Sequence, residues 1–312
     1  MMKLFTTLLL LTFTVNAFDN NYLDAVSKGV QNYSVKTVTT YNKNEPIQEP
    51  RKQLSINNDV ATTSTQIISS SESVTVLNKS LKNTNDIKIF KTTKIEPINY
   101  TNTISLNNLQ VSEKKQKFFH MILPAILISK AKLKIKRDRL LSLISTPDEE
   151  LFVEDKEFLE GLYATYKTNN KHKLLSRLKT HPVSIVLAQA AIESAWGESR
   201  FFKKGNNIFG MWSYNKNEPR IKALGTRNGK SIYVKKYKTV SDAIDDYFVV
   251  IGRGAYKSFR KQRNITDNPL VLVQYLVNYC ELREKYTKKL SRFIVSNKLR
   301  KFDTFKIDDQ YL

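Results

Sequence analysis

The chain has 312 residues, 41% apolar and 26% charged, a balance that supports a folded core. Its 51 Lys+Arg against 29 Asp+Glu give a net charge of +22 and a pI near 9.8, so an anionic polymer is the expected partner. One cysteine (Cys280) excludes an intrachain disulfide framework, and three scattered histidines (His120, His172, His181) argue against a His-built metal centre. No metal and no cofactor is expected, and any chemistry must run on carboxylates, hydroxyls or backbone.

Residues 1–17 read as an export signal: Lys3, a mostly apolar run from Leu4 to Val15, and small residues permitting cleavage after Ala17. The run is too short and threonine-broken for a transmembrane helix, and no second stretch approaches spanning length, so no membrane anchor is expected after cleavage. Residues 18–110 hold 10 Ser, 12 Thr, 14 Asn and 5 Gln with one Gly, and no periodic apolar run. They read as a disordered spacer. Residues 111–312 then carry 40 Lys+Arg and 21 Asp+Glu, so the basic character belongs to the folded part.

The pattern within 111–312 is mainly helical. Apolar positions at helical spacing run over 115–143, with Pro124 expected to bend or divide the segment. A second helix is expected at about 154–167, and His181-Pro182 opens a third. From Arg220 to Tyr237 the period becomes two, and Arg227-Asn228-Gly229 supplies a hairpin turn. Thr239 to Asp242 fits a capping box, followed by an apolar face of Val240, Ala243, Ile244, Tyr247, Phe248 and Ile251. A helix from Asp267-Asn268-Pro269 through Tyr279 and a final basic helix ending near Arg300 complete the chain. Helices around one small β-hairpin define an α+β class.

The stretch Ile185–Gly210 carries the chemistry. Its helix is apolar or small nearly throughout, and Glu193 is the only formal charge before Gly197 ends it. A carboxylate in such company is rarely without a partner or a task. The negative end of the helix dipole and apolar neighbours should raise its pKa, as a general acid for glycosidic cleavage requires. The competing reading is a solvent-facing Glu at a helix end. Gln189 lies one turn before it on the same face and Trp196 three residues beyond. Ser194 invites a nucleophile reading, but no nearby His or Lys would activate it. Glu198, past Gly197, reads as a surface charge, and Cys280 as a small buried residue.

The string Ala190-Ala191-Ile192-Glu193-Ser194-Ala195-Trp196-Gly197, with Ser199-Arg200-Phe201 and Gly205-Asn206-Asn207-Ile208-Phe209-Gly210, resembles the Bax-like proteins. These belong to the mannosyl-glycoprotein endo-β-N-acetylglucosaminidase superfamily, akin to glycoside hydrolase family 73. Phe118-Phe119 with Leu123-Pro124, Tyr256 with Phe259-Arg260 and Arg263, and Asn278-Tyr279-Cys280-Glu281 with Tyr286 and Leu290 extend the likeness over 111–312. The resemblance implies a lysozyme-like α+β fold, mainly helical with one small β-hairpin lobe. It also implies cleavage after N-acetylglucosamine in peptidoglycan, with Glu193 as general acid and Tyr279 positioning the acetamido group or a water. Phe209, Trp212, Tyr214 and Tyr256, with Gln189 and Trp196, would line the substrate site. Many members use a second carboxylate in the β-lobe. Here the hairpin is basic and nothing acidic occurs between Glu218 and Asp242, which leaves Glu218 as the candidate and favours a substrate-assisted route.

The expected product is an exported, monomeric peptidoglycan hydrolase of the periplasm or cell envelope, drawn to glycan strands and anionic envelope polymers. Its rivals are a lytic transglycosylase and a non-catalytic wall-binding or scaffold module. Nucleic-acid binding fits neither the export signal nor the aromatics, which do not interleave with basic repeats.

Overall fold

The computed structural model describes residues 73–227 and 229–312. The expected export signal, residues 18–72 of the expected spacer, and Asn228 of the hairpin turn lie outside the described residues.

Three short strands come first: β1 (Leu77–Lys79), β2 (Lys94–Ile95) and β3 (Ile98–Tyr100). β1 pairs with β3 in parallel, Leu77 opposite Ile98, while β2 pairs in parallel with β6 (Lys306–Ile307) from the far end of the chain. Leu81, Ile87, Phe90, Ile95, Ile98, Tyr100 and Leu106 are all buried in the common core. Residues 73–110 therefore belong to the folded core and not to a spacer. Polar composition hid this, because those apolar residues follow neither a two- nor a 3.6-residue period. They are buried only by docking on the helices that follow.

Helix α1 (Val111–Ser142) is the longest element. Every residue from Phe118 to Ser129 is buried, so it is apolar all round in its middle and charged at both ends. Pro124 lies inside it without dividing it. A helix-interior proline costs about 3 kcal/mol, and twelve consecutive buried positions outweigh that. Helices α2 (Val153–Tyr166) and α3 (Lys171–Leu178) follow. The charged surface of α3 masked it in the sequence.

Helix α4 (Val183–Glu193) opens behind Pro182 and buries every residue from Val183 to Ala191. Asp303 caps it from a distance, accepting from the Ser184 amide at 2.7 Å and its hydroxyl at 2.9 Å. Two interior helices, α1 and α4, are packed together and surrounded by the others. Helix α5 (Arg200–Gly205) leads into the hairpin of β4 (Arg220–Arg227) and β5 (Lys230–Lys235), whose register sets Ile221 opposite Val234. Gly229 has φ +72°, as the hairpin turn demands.

Helix α6 (Val240–Gly252) starts on the expected capping box of Thr239 and Asp242, and its expected apolar face is buried. Helix α7 (Lys257–Ile265) precedes α8 (Pro269–Leu272), which is one turn long and passes into a 3-10 turn over Val273–Tyr275. The expected helix through Tyr279 thus stops early, and Tyr279 sits in a turn. Helix α9 (Glu284–Ser296) and a 3-10 segment, Leu299–Thr304, close the chain. The fold is α+β and mainly helical with one antiparallel hairpin lobe, as expected. Among the described residues no helix is long and apolar enough to cross a membrane.

Candidate active site

Glu193 is the last residue of α4, and an unusual turn holds it there. Ala195, Trp196 and Gly197 all take positive φ, +52°, +61° and +86°. Two consecutive non-glycine residues in that region cost energy that the surroundings must repay. Ser194 organises the turn: its hydroxyl donates to the Ala190 carbonyl at 2.6 Å and accepts from the Gly197 amide at 2.9 Å. Both capacities are used inside the core, consistent with a capping role and not a nucleophile's. Glu198 differs from the expected free surface charge. It accepts from the Leu106 amide at 3.2 Å and the Asn107 side chain at 2.8 Å, and pairs with Lys114 and Lys203. It thereby ties the 105–107 segment to the turn behind Glu193.

Among the described residues the Glu193 carboxyl takes one hydrogen bond: the Tyr286 hydroxyl donates to its Oε1 at 3.0 Å. That bond is the end of a buried line. Tyr286 accepts from Gln189 Nε2 at 3.3 Å, and Gln189 Oε1 accepts from the Tyr247 hydroxyl at 2.7 Å. His181 Nε2 lies 2.8 Å from that same hydroxyl. Because the single Tyr247 proton goes to Gln189, His181 must donate from Nε2, which leaves Nδ1 bare. Nδ1 is indeed buried without a partner, and burial, then Arg263 and Lys130, hold the imidazole well below its usual pKa. Every donor along His181–Tyr247–Gln189–Tyr286 thus points toward Glu193. The line fixes the carboxyl's orientation and offers its Oε1 a single donor.

Burial nevertheless prevails over that donor. Desolvation raises the Glu193 pKa from 4.5 to about 7, while the Tyr286 bond and the Lys289 ammonium pull the other way. The group is therefore largely protonated below neutrality, and among the described residues no hydrogen bond reaches its Oε2. No carboxylate contributes to this shift.

Tyrosines form the wall around it. Tyr279 stacks on Tyr286 with centroids 5.5 Å apart and planes 12° apart, and Tyr256 lies beyond it at 6.4 Å. The Tyr279 hydroxyl is buried without a hydrogen-bond partner, and the charge of Glu193 contributes to raising both phenols' pKa values, after burial. Cys280, beside it, is buried.

The residues read from the sequence as a substrate surface separate into two groups. Gln189, Phe209, Tyr256 and Tyr279 are at most 2% exposed and act from within the core. Phe209 stacks on Tyr247 at 4.4 Å, backing the buried line instead of facing solvent. Trp196 turns away into an aromatic cluster, 5.7 Å from Phe118, 5.4 Å from Phe119 and 5.3 Å from Phe293, with the Lys115 ammonium 5.5 Å over its ring. Trp212 and Tyr214 keep exposed surface and lie 6.1 Å apart on the hairpin lobe. Arg227 stands 5.6 Å over Trp212 and pairs with Glu281 at 3.4 Å, just past Cys280, whose thiol feels the Glu193 charge. That contact ties the hairpin lobe to the segment that follows Cys280. Glu218 sits elsewhere on the lobe, where its charge acts on Tyr237, itself bonded to Asp246 at 2.6 Å.

Sequence reasoning missed Tyr286, Tyr247 and His181 as parts of the site. The available signal was Gln189: an amide inside an apolar helix needs partners, and the aromatic hydroxyls nearby in the fold supply them. Among the described residues no cluster of His, Cys, Asp and Glu could hold a metal ion.

A mainly helical α+β domain with one carboxylic acid poised at the end of an interior helix is the class these observations define. Residues 168–299 match the family model described as mannosyl-glycoprotein endo-beta-N-acetylglucosaminidase. It is similar to Protein bax of Escherichia coli (strain K12), 28% identical over 161 residues, which are 48% of this chain and 55% of that one. It is also similar to Exo-glucosaminidase LytG of Bacillus subtilis (strain 168), 29% identical over 89 residues, 27% of this chain and 32% of that one. The chain thus spans about half and a third of those relatives' lengths. Among solved structures, the catalytic domain of the autolysin Auto from Listeria monocytogenes aligns over 53% of this chain and 94% of its own at 22% identity, TM-score 0.34. A glycoside hydrolase domain of Salmonella typhimurium FlgJ aligns over 46% of this chain and 97% of its own at 22% identity, TM-score 0.31.

Proposed function

We propose that this protein is an exported peptidoglycan hydrolase that cleaves the glycosidic bond after N-acetylglucosamine, with Glu193 as general acid. The observation that carries the reading is the lone carboxyl at the end of α4, oriented by Tyr286 and kept protonated near neutrality by burial. The match to the glucosaminidase family model supports the substrate class.

In this reading Glu193 Oε2 gives its proton to the glycosidic oxygen as the bond to C1 breaks. Among the described residues no carboxylate acts on Glu193, and in this reading the sugar's own acetamido oxygen attacks C1 and carries the charge. Water then opens that ring adduct at C1, and the Glu193 carboxylate takes the water's proton, which restores the acid. The unpartnered Tyr279 hydroxyl donates to the acetamido group once its ring rotates off the Tyr286 stack. Trp212 and Tyr214 offer sugar rings a flat apolar surface. Glu218 lies with Tyr237 and takes no part in these steps. The basic surface draws the protein, as a monomer, to anionic wall polymers.

A lytic transglycosylase also needs one acid, and the absence of a second carboxylate around Glu193 favours it equally. The test is release of soluble fragments from purified peptidoglycan by the full chain and by Glu193→Gln, with mass spectrometry of the products. Reducing N-acetylglucosamine ends from the parent alone are expected. Anhydro-muramyl ends would transfer the assignment to a transglycosylase. Equal lysis by the variant, or binding without release by both, would overturn the acid role.

A further inference from the structure

A cavity of about 460 Å³ lies between the N-terminal turns of α1 and the turn that joins α9 to Leu299–Thr304. Its walls carry three ammonium groups, Lys115, Lys298 and Lys301, against one carboxylate, Glu113. None of the three lysines forms an ion pair among the described residues: Lys115 lies over Trp196 and Lys301 over Phe302 at 5.0 Å. Helix α1 begins beside it with no side-chain cap, so the positive end of its dipole lies near this wall.

His120 supplies a second, independent sign. It lines this cavity at 5% exposure, wedged between Phe90 at 5.9 Å and Phe302 at 5.6 Å. Its Nδ1 accepts from the Phe90 amide at 3.1 Å, so the neutral ring carries its hydrogen on Nε2. No group of the protein accepts that hydrogen among the described residues. That hydrogen is left free to donate to a group in the cavity that His120 lines.

From these groups we infer that the cavity binds a phosphate group, presented as an ester on a small polar body. Every cation lining it is a lysine. Point charges of that kind suit a compact tetrahedral anion, whereas planar carboxylates are more often gripped by the arginine fork. The volume exceeds what a bare anion fills, on the order of two or three water volumes, and leaves room for the ester's carbon skeleton against Phe119 and Phe302. The phosphate ester can belong to an envelope polymer or a lipid headgroup. The inference stands independently of the Glu193 assignment, since none of these residues takes part in it.

The test is a titration of the full chain followed by the ring resonances of ¹⁵N-labelled histidine, with inorganic phosphate, a glycerol phosphate oligomer, phosphatidylglycerol vesicles and acetate as probes. Expected is a saturable shift of the His120 ring with phosphate, weakened about tenfold or more in the Lys298→Gln/Lys301→Gln variant, which loses two exposed cations facing one phosphate. Glu193→Gln should bind phosphate like the parent. Tighter binding of the oligomer would assign the polymer as source, and tighter binding of vesicles the lipid; either supports the site. An unmoved His120 ring, acetate binding as well as phosphate, or equal binding by the double variant would overturn it.

Discussion

Replacing Glu193 by Gln should stabilise the protein, and only above the pH at which a free glutamate ionises. Glutamine mimics the protonated acid: its carbonyl can still accept from Tyr286, and its size is the same. In the unfolded chain the Glu193 carboxyl loses its proton near 4.5, whereas in the fold it keeps it up to about 7. Below pH 4.5 both states are protonated and the substitution should be nearly neutral. Between 4.5 and 7 the unfolded parent ionises first, so the parent falls behind the variant as pH rises. Above 7 the full difference is reached, about 3 kcal/mol at 1.36 kcal/mol for each pH unit of that interval. For a domain of this size that is roughly 6–12 °C in Tm. The assay is differential scanning calorimetry of both proteins at pH 4 and pH 8, alongside peptidoglycan release. A variant that is inactive, equal in Tm at pH 4 and higher at pH 8 is the expected result. A Tm difference that is the same at both pH values, or a less stable variant at pH 8, would refute the claim that burial holds this acid protonated.

The same carboxyl should impose an alkaline limb on activity, falling as pH rises through about 7, which a pH–rate profile checks. Tyr286→Phe removes the one donor that lowers that pKa, so the limb should move to higher pH; the orphaned Gln189 amide should cost about 1–3 kcal/mol in a denaturant titration. At Gly197, φ is +86° and an added Cβ would stand 3.3 Å from Phe202, so Gly197→Ala should cost about 1–2 kcal/mol of stability and lower kcat, read by calorimetry and initial rates. Tyr214 is 73% exposed, so Tyr214→Ala should leave Tm unchanged while lowering kcat/KM about fivefold, the worth of about 1 kcal/mol of ring stacking.

Much of this molecule can be read from local pattern. The capping box at Thr239, the period of two across the hairpin, and the Pro182 start of α4 are decided by a few neighbouring residues, and each forms where expected. Glu193 stood out for the same reason, as the only charge on an apolar helix. Local pattern fails where burial is non-local. Pro124 stays inside α1 because surrounding elements bury that helix on every side, which no window around the proline reveals. Residues 73–110 look polar and aperiodic, yet seven of their side chains fill gaps on the helical core.

The site divides along the same line. Residue type and helix position announce an acid at Glu193. Its partner Tyr286 lies 93 residues away, and the line behind it joins α4, α6, α9 and His181, contributions that only packing can align. Packing also turned Trp196 and Phe209 inward and left Trp212 and Tyr214 outside, though all four are aromatic and near in sequence. An apolar ring is equally suited to a core and to a sugar surface. Its side chain goes wherever the assembled helices leave a space, and that space exists only once distant segments have met.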